Sequence, residues 1–120
     1  MNKKPLFPVF LDLSEKKIVV IGSGQDPVCL VRKLAPYTKM VTLICPEDLP
    51  EMAGPEMPEN IQVLRRNYVR EDLYDADLVI AASSDIRENR DIHAQCKCLG
   101  IPVNIPGDRA RSDFFLENDG

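Results

Sequence analysis

Gly22, Ser23 and Gly24 stand directly after the β-branched run Lys17-Ile18-Val19-Val20-Ile21 and just ahead of a helical stretch. A strand that turns at once into a helix leaves unpaired N–H groups and the positive end of a helix dipole at one place, where an anionic phosphate group fits. In such a turn the first glycine makes the sharp bend and the second lets the backbone approach the phosphate closely. A small third residue lets helix and strand pack. Gly22 and Gly24 fill the first two places, and Pro27 takes the third. The alternative reading is a tight glycine turn that holds no ligand. Asp26 is expected to cap the helix, which sets its carboxylate in competition for the same N–H groups. The acid that usually follows roughly 20 residues on, to take ribose hydroxyls, is not in place, so Glu47 or groups near Cys45 must substitute.

Asp108 is the best candidate for a general base, a carboxylate on the loop Pro106-Gly107-Asp108 at the end of a strand. The competing reading is a turn aspartate that caps its own backbone. Arg109 and Arg111 flank this loop, where they suit a substrate rich in carboxylates or form a solvated surface. His93 with Cys96 and Cys98 has the wrong spacing for a metal site on one helix face, because neighbours there fall at i+3 and i+4. A zinc site also wants four ligands. Cys45 reads as a packing thiol before a nucleophile, and no metal is expected.

The elements that must position these residues follow from the apolar pattern. With 120 residues the chain can build one hydrophobic core and not two. Met40–Ile44, Ile61–Leu64, Leu78–Ala82 and Pro102–Ile105 read as further strands, with Phe114–Leu116 as a sixth at the edge. A helix over Val28–Tyr37 carries Val28, Val31, Leu34 and Ala35 on one stripe, with Asp26 as its cap and Pro27 at its first position. Asp85 to Glu88 reads as a capping box that opens a second helix, ended by Gly100 and Pro102. Arg70–Tyr74 is a short helical turn. Residues 46–60 carry four prolines and a glycine and read as a loop, with a helical turn near Leu49–Met52. The opening Phe7–Leu13 alternates and is expected to lie extended beside the first strand.

Strands alternating with amphipathic helices mean parallel βαβ units. The expected architecture is a single-domain α/β fold, a Rossmann-like doubly wound parallel sheet in the order 3-2-1-4-5-6. The net charge of -4 argues against a nucleic-acid partner. No apolar run approaches the roughly 18 residues that span a bilayer, and no apolar region near the start marks a signal peptide, so no membrane partner and a cytoplasmic location are expected. In that compartment the four cysteines are reduced thiols.

With these elements placed, the chain resembles the N-terminal domain of the precorrin-2 dehydrogenase / sirohydrochlorin ferrochelatase family, the siroheme synthases. The resemblance rests on Phe7–Leu13 followed by Lys17–Gly24, on Val31-Arg32-Lys33-Leu34, and on Val41–Glu47. Ala81-Ala82-Ser83-Ser84-Asp85 with Asn89, Val103-Asn104, and Asp113-Phe114-Phe115 complete it, over about residues 6–116. It implies an NAD-dependent oxidation of precorrin-2 to sirohydrochlorin, with a tetrapyrrole substrate and a homodimer as the assembly it allows. Gly22, Ser23 and Gly24 would cradle the pyrophosphate, with Cys45 and Glu47 on the adenosine side. Ser83, Ser84 and Asp85 would line the cofactor cleft, and Asn104 would sit near the nicotinamide. The family's aspartate three residues after the Asn is replaced by Gly107, which leaves Asp108 for the base. Cys29 and Leu30 stand where the family has a basic pair. The family's further C-terminal helical half is not among these 120 residues, so dehydrogenation is expected here before iron insertion. The alternative is a non-catalytic dinucleotide- or tetrapyrrole-binding module.

Overall fold

A run of β-branched residues without alternation has two apolar faces and is stable only when both are covered. The computed structural model, which describes residues 5–46 and 58–116, meets that demand with one parallel sheet. Strands β1 (Lys17–Ile21), β2 (Met40–Ile44), β3 (Ile61–Leu64), β4 (Leu78–Ala81) and β5 (Val103–Asn104) lie in the order β3-β2-β1-β4-β5. Helices α1 (Gln25–Leu34) and α2 (Ile86–Leu99) cover opposite faces.

The period of two along each strand sorts its residues between two cores. Ile18 and Val20 of β1, Val41 and Leu43 of β2, and Ile80 of β4 meet Val28, Val31 and Leu34 of α1. Val19 and Ile21, Ile44, and Val79 and Ala81 meet Ile92 and Cys96 of α2. Ile21 pairs with both Ile44 and Ala81, and Ile44 pairs with Leu64, so four strands end in line. Gly22, Cys45 and Ala82 are the next residues along, and they form one rim.

Helix α2 begins at Asp85, whose Oδ1 accepts from the Arg87 N–H at 2.9 Å, and ends at Gly100 in the left-handed region at φ 74°. Only half of the expected capping box forms. The Asp85 N–H donates to Ser83 Oγ at 3.0 Å, not to Glu88. Asp91 ties the helix to the segment after β3, accepting from Arg70 Nη2 at 2.8 Å and from the Tyr68 hydroxyl at 3.3 Å.

Three expectations are corrected. Phe114–Leu116 is not a strand, because side chains already satisfy the outer edge of β5. Asp113 Oδ2 accepts from the Val103 N–H at 3.1 Å, and Ser112 Oγ accepts from the Ile105 N–H at 2.9 Å. The segment over 7–13 does not lie beside β1, since β2 and β4 occupy both of its edges. Phe7 and Phe10 are 87% and 103% exposed, and only Leu13 of this segment reaches the α1-side core. Helix α1 starts earlier than expected, with Gly24 as its N-cap, and gives way after Leu34 to a 3-10 turn over Ala35–Tyr37. Pro27 is tolerated at its third position because first-turn N–H groups have no partner within the helix. The expected turn near Leu49–Met52 lies outside the described residues. Among the described residues, no helix is long and apolar enough to cross a membrane.

Asp113 carries the clearest pH signature of the fold. Burial opposes its ionisation, but hydrogen bonds from Lys97 Nζ (2.6 Å) and the Val103 N–H, together with the lysine charge, hold the carboxyl below its ordinary range. A depressed carboxyl stabilises the native state above its unfolded pKa and loses that contribution as pH falls through the folded value. Asp113→Asn should therefore lower the melting temperature at pH 7, and the gap to the wild type should close as pH drops from about 4 towards about 2. Melting curves at stepped pH measure this, and a gap that stays constant would show that the charge contributes nothing.

Candidate functional site

The site begins where β1 runs into α1. Gly22 N–H donates to the Ile44 carbonyl at 3.1 Å, and the Ala82 N–H donates to the Ile21 carbonyl at 2.7 Å. A Cβ built on Gly22 would stand 2.5 Å from the Ala82 carbonyl oxygen, so no side chain fits between the ends of β1 and β4. Gly24 adopts φ 98°, a conformation that L side chains rarely take, and a Cβ there would meet nothing within 4 Å. No side-chain hydrogen bond caps α1. Asp26 therefore does not cap the helix as expected. It lies at the second helical position, exposed, because Gly24 has already taken the cap. Open space beside Gly24 and a first turn without a side-chain cap fit a pyrophosphate.

The turn after β4 is held by one side chain. The Asn89 amide accepts from the Ser83 N–H at 3.0 Å and donates back to the Ser83 carbonyl at 2.9 Å. Ser84 is exposed, while the hydroxyl of Ser83 and the carboxylate of Asp85 bond within the turn and the helix start. These residues shape the rim between β1 and β4 through their backbone.

Beyond β5, Pro106 and Gly107 occupy the centre of a turn closed by the Asp108 N–H donating to the Ile105 carbonyl at 2.9 Å. Gly107 at φ 82° matches the third residue of a type II turn. Asp108 caps the 3-10 turn Arg109–Arg111, and its Oδ2 accepts from Arg111 Nη1 at 3.0 Å. It therefore caps its own backbone, as the competing reading expects, and it also lines a groove. Arg109 lies over the Phe115 ring, 5.4 Å from the centroid. Asn104 is buried and donates to the Phe114 carbonyl at 2.9 Å, which fixes the returning chain. The groove has a volume of about 490 Å³. Asp26, Leu30 and Lys33 of α1 form one wall, facing Asn104, Gly107 and Asp108 across it.

Not every anticipated residue arrives. Cys45 is fully buried within the α1-side core, so its thiol packs and does not face a ligand. Glu47 lies outside the described residues. Cys96 faces the other core, where burial, helped by Asp113, pushes its thiol up to about 11. In contrast, Lys33 and Asn89, quoted above only for the resemblance, had no site role read from the sequence. Asp26, Cys29, Leu30 and Lys33 recur at the i, i+3, i+4, i+7 spacing of one helix face, a signal that could have shown the groove wall.

The sequence matches, over residues 9–117, the NAD_binding_7 family, described as "Putative NAD(P)-binding". It is 26% identical over 110 residues to a siroheme synthase of Psychrobacter arcticus, covering 92% of this chain and 20% of that protein. It is 33% identical over 99 residues to a siroheme synthase of Thioalkalivibrio sulfidiphilus, covering 82% of this chain and 20% of that one. The chain thus spans about a fifth of the length of these curated relatives. Among solved structures, SirC, a precorrin-2 dehydrogenase, superposes with a TM-score of 0.64 at 21% identity, over 96% of this chain and 54% of that one.

The contact at Gly22 can be tested without a ligand. Gly22→Ala forces a methyl against the Ala82 carbonyl and should destabilise the fold by about 2 kcal/mol or more. Urea unfolding reads the loss, and an unchanged midpoint would mean that the two strand ends are free to part.

Proposed function

Because the chain belongs to the NAD_binding_7 family of putative NAD(P)-binding domains and is similar to siroheme synthases, we propose that it is an NAD-dependent precorrin-2 dehydrogenase domain. The observation that carries this reading is the glycine turn that opens α1 without a side-chain cap, with Asp26 of the first turn lining a groove whose other wall includes Asn104, Gly107 and Asp108. When bound, NAD supplies a hydride acceptor. Gly22, Ser23 and Gly24, with the first N–H groups of α1, hold the pyrophosphate. The turn clamped by Asn89 presents the Ser83 and Ser84 backbone along the cleft, and Asn104 keeps the loop after β5 in place.

Oxidation of precorrin-2 to sirohydrochlorin removes two electrons and two protons, as one hydride to the cofactor and one proton to the protein. Asp108 is the group assigned to take that proton, since it is a carboxylate residue lining the groove just beyond the end of β5. Lys33 and Arg109 line the same groove and suit the carboxylates of a tetrapyrrole. A second reading is favoured by one observation: the Asp108 carboxylate is engaged by Arg111 and by its own turn. On that reading the domain binds a dinucleotide or tetrapyrrole without turning it over.

One measurement tests dinucleotide binding, and a second separates the two readings. Saturating NAD should raise the melting temperature, because only a ligand of the native state stabilises it. NADP run in parallel tests the choice of cofactor, and no shift with either removes dinucleotide binding altogether. Asp108→Asn should reduce precorrin-2 turnover by about a hundredfold or more with little change in NAD affinity. Unchanged turnover would leave Asp108 as a turn cap only.

A further inference from the structure

We propose that Asp26 makes this site prefer the oxidised dinucleotide over the reduced one, an inference that rests on the dinucleotide reading above. Asp26 lies two residues beyond Gly24, is exposed, and lines the same groove as Asn104, Gly107 and Asp108. Its carboxylate is not used to cap α1. The other charged groups on the groove are placed differently. Asp108 is paired with Arg111, Arg109 lies over Phe115, and Lys33 follows about two turns further along α1. Asp26 is thus the carboxylate at the glycine end of the groove.

The two forms of the cofactor differ by one charge. The oxidised nicotinamide ring is cationic and the reduced ring is neutral, while the pyrophosphate is the same in both. Repulsion between Asp26 and the pyrophosphate weakens both forms equally. Attraction to the ring strengthens only the oxidised form. For a ring that comes within about 10 Å of Asp26, at an effective dielectric between those of protein and water, one such charge changes the ratio of affinities by roughly threefold to tenfold. A site biased in this way takes up the oxidant readily and releases the reduced product. Such a bias suits a domain that oxidises its substrate.

Isothermal titration of the full chain with oxidised cofactor, reduced cofactor and ADP-ribose tests the idea in the wild type and in Asp26→Asn. ADP-ribose has the pyrophosphate and no ring, so it isolates the repulsive part. The variant should bind ADP-ribose more tightly, and its preference for the oxidised over the reduced form should fall by about three- to tenfold. Asp26→Glu should keep the wild-type preference. If ADP-ribose tightens while the preference stays the same, Asp26 acts on the phosphates alone and the proposal is overturned. If none of the three binds either protein, the dinucleotide reading falls, and this inference falls with it.

Discussion

The backbone of Gly22 lies against the carbonyl of Ala82, closer than any side chain would permit. That approach keeps β1 and β4 paired to their last residues, with the Ala82 N–H donating to Ile21. Because both strands end together, the helices that follow them start from one rim and diverge to opposite faces of the sheet. A crevice at the carboxyl ends of the strands is the consequence, and it is where open parallel sheets place their ligands. A bulkier residue at position 22 would push the strand ends apart, and the crevice would lose its floor.

The second constraint is the treatment of the sheet edge at β5. An edge strand exposes unpaired N–H and C=O groups that must find partners. Here Ser112 and Asp113 take the donors with their side chains, and the Asp113 N–H returns a bond to the Val103 carbonyl at 2.8 Å. The chain is held at the edge without becoming a strand, and it crosses to the α1 side, where Phe114 packs into the core. This crossing brings Phe115 and the loop over 105–109 opposite α1, and so creates the groove. The hydrogen bonds of a short, irregular segment therefore decide the shape of the candidate site.

The chemistry divides along the same lines. The glycine turn is a backbone feature, suited to any phosphate that can reach it. Selectivity must come from side chains along the groove, where Asp26 and Lys33 on α1 confront Asp108 and Arg109 after β5. The balance of charge is local, and the overall negative charge of the chain says little about it.

Much of this was legible from residue order. The runs at 17–21, 40–44 and 78–81 could only be covered strands, because apolar β-branched residues without alternation need both faces buried. The stripe at Val28, Val31 and Leu34 identified the inner face of α1, and Asp85 and Gly100 marked the ends of α2. Gly22 and Gly24 announced a turn that needs glycine, since steric limits on the backbone are a local property. The rest depended on partners far apart in the chain. That Asp108 would be engaged by Arg111, that Asn89 would clamp Ser83, and that Asp113 would replace a sixth strand were set by which groups met in space. The exposed segment over 7–13 makes the same point: its alternation was strand-like, but both edges of β1 were already taken. Periodicity declares which face of an element is apolar, while only the assembled sheet decides whether an edge remains for it to join.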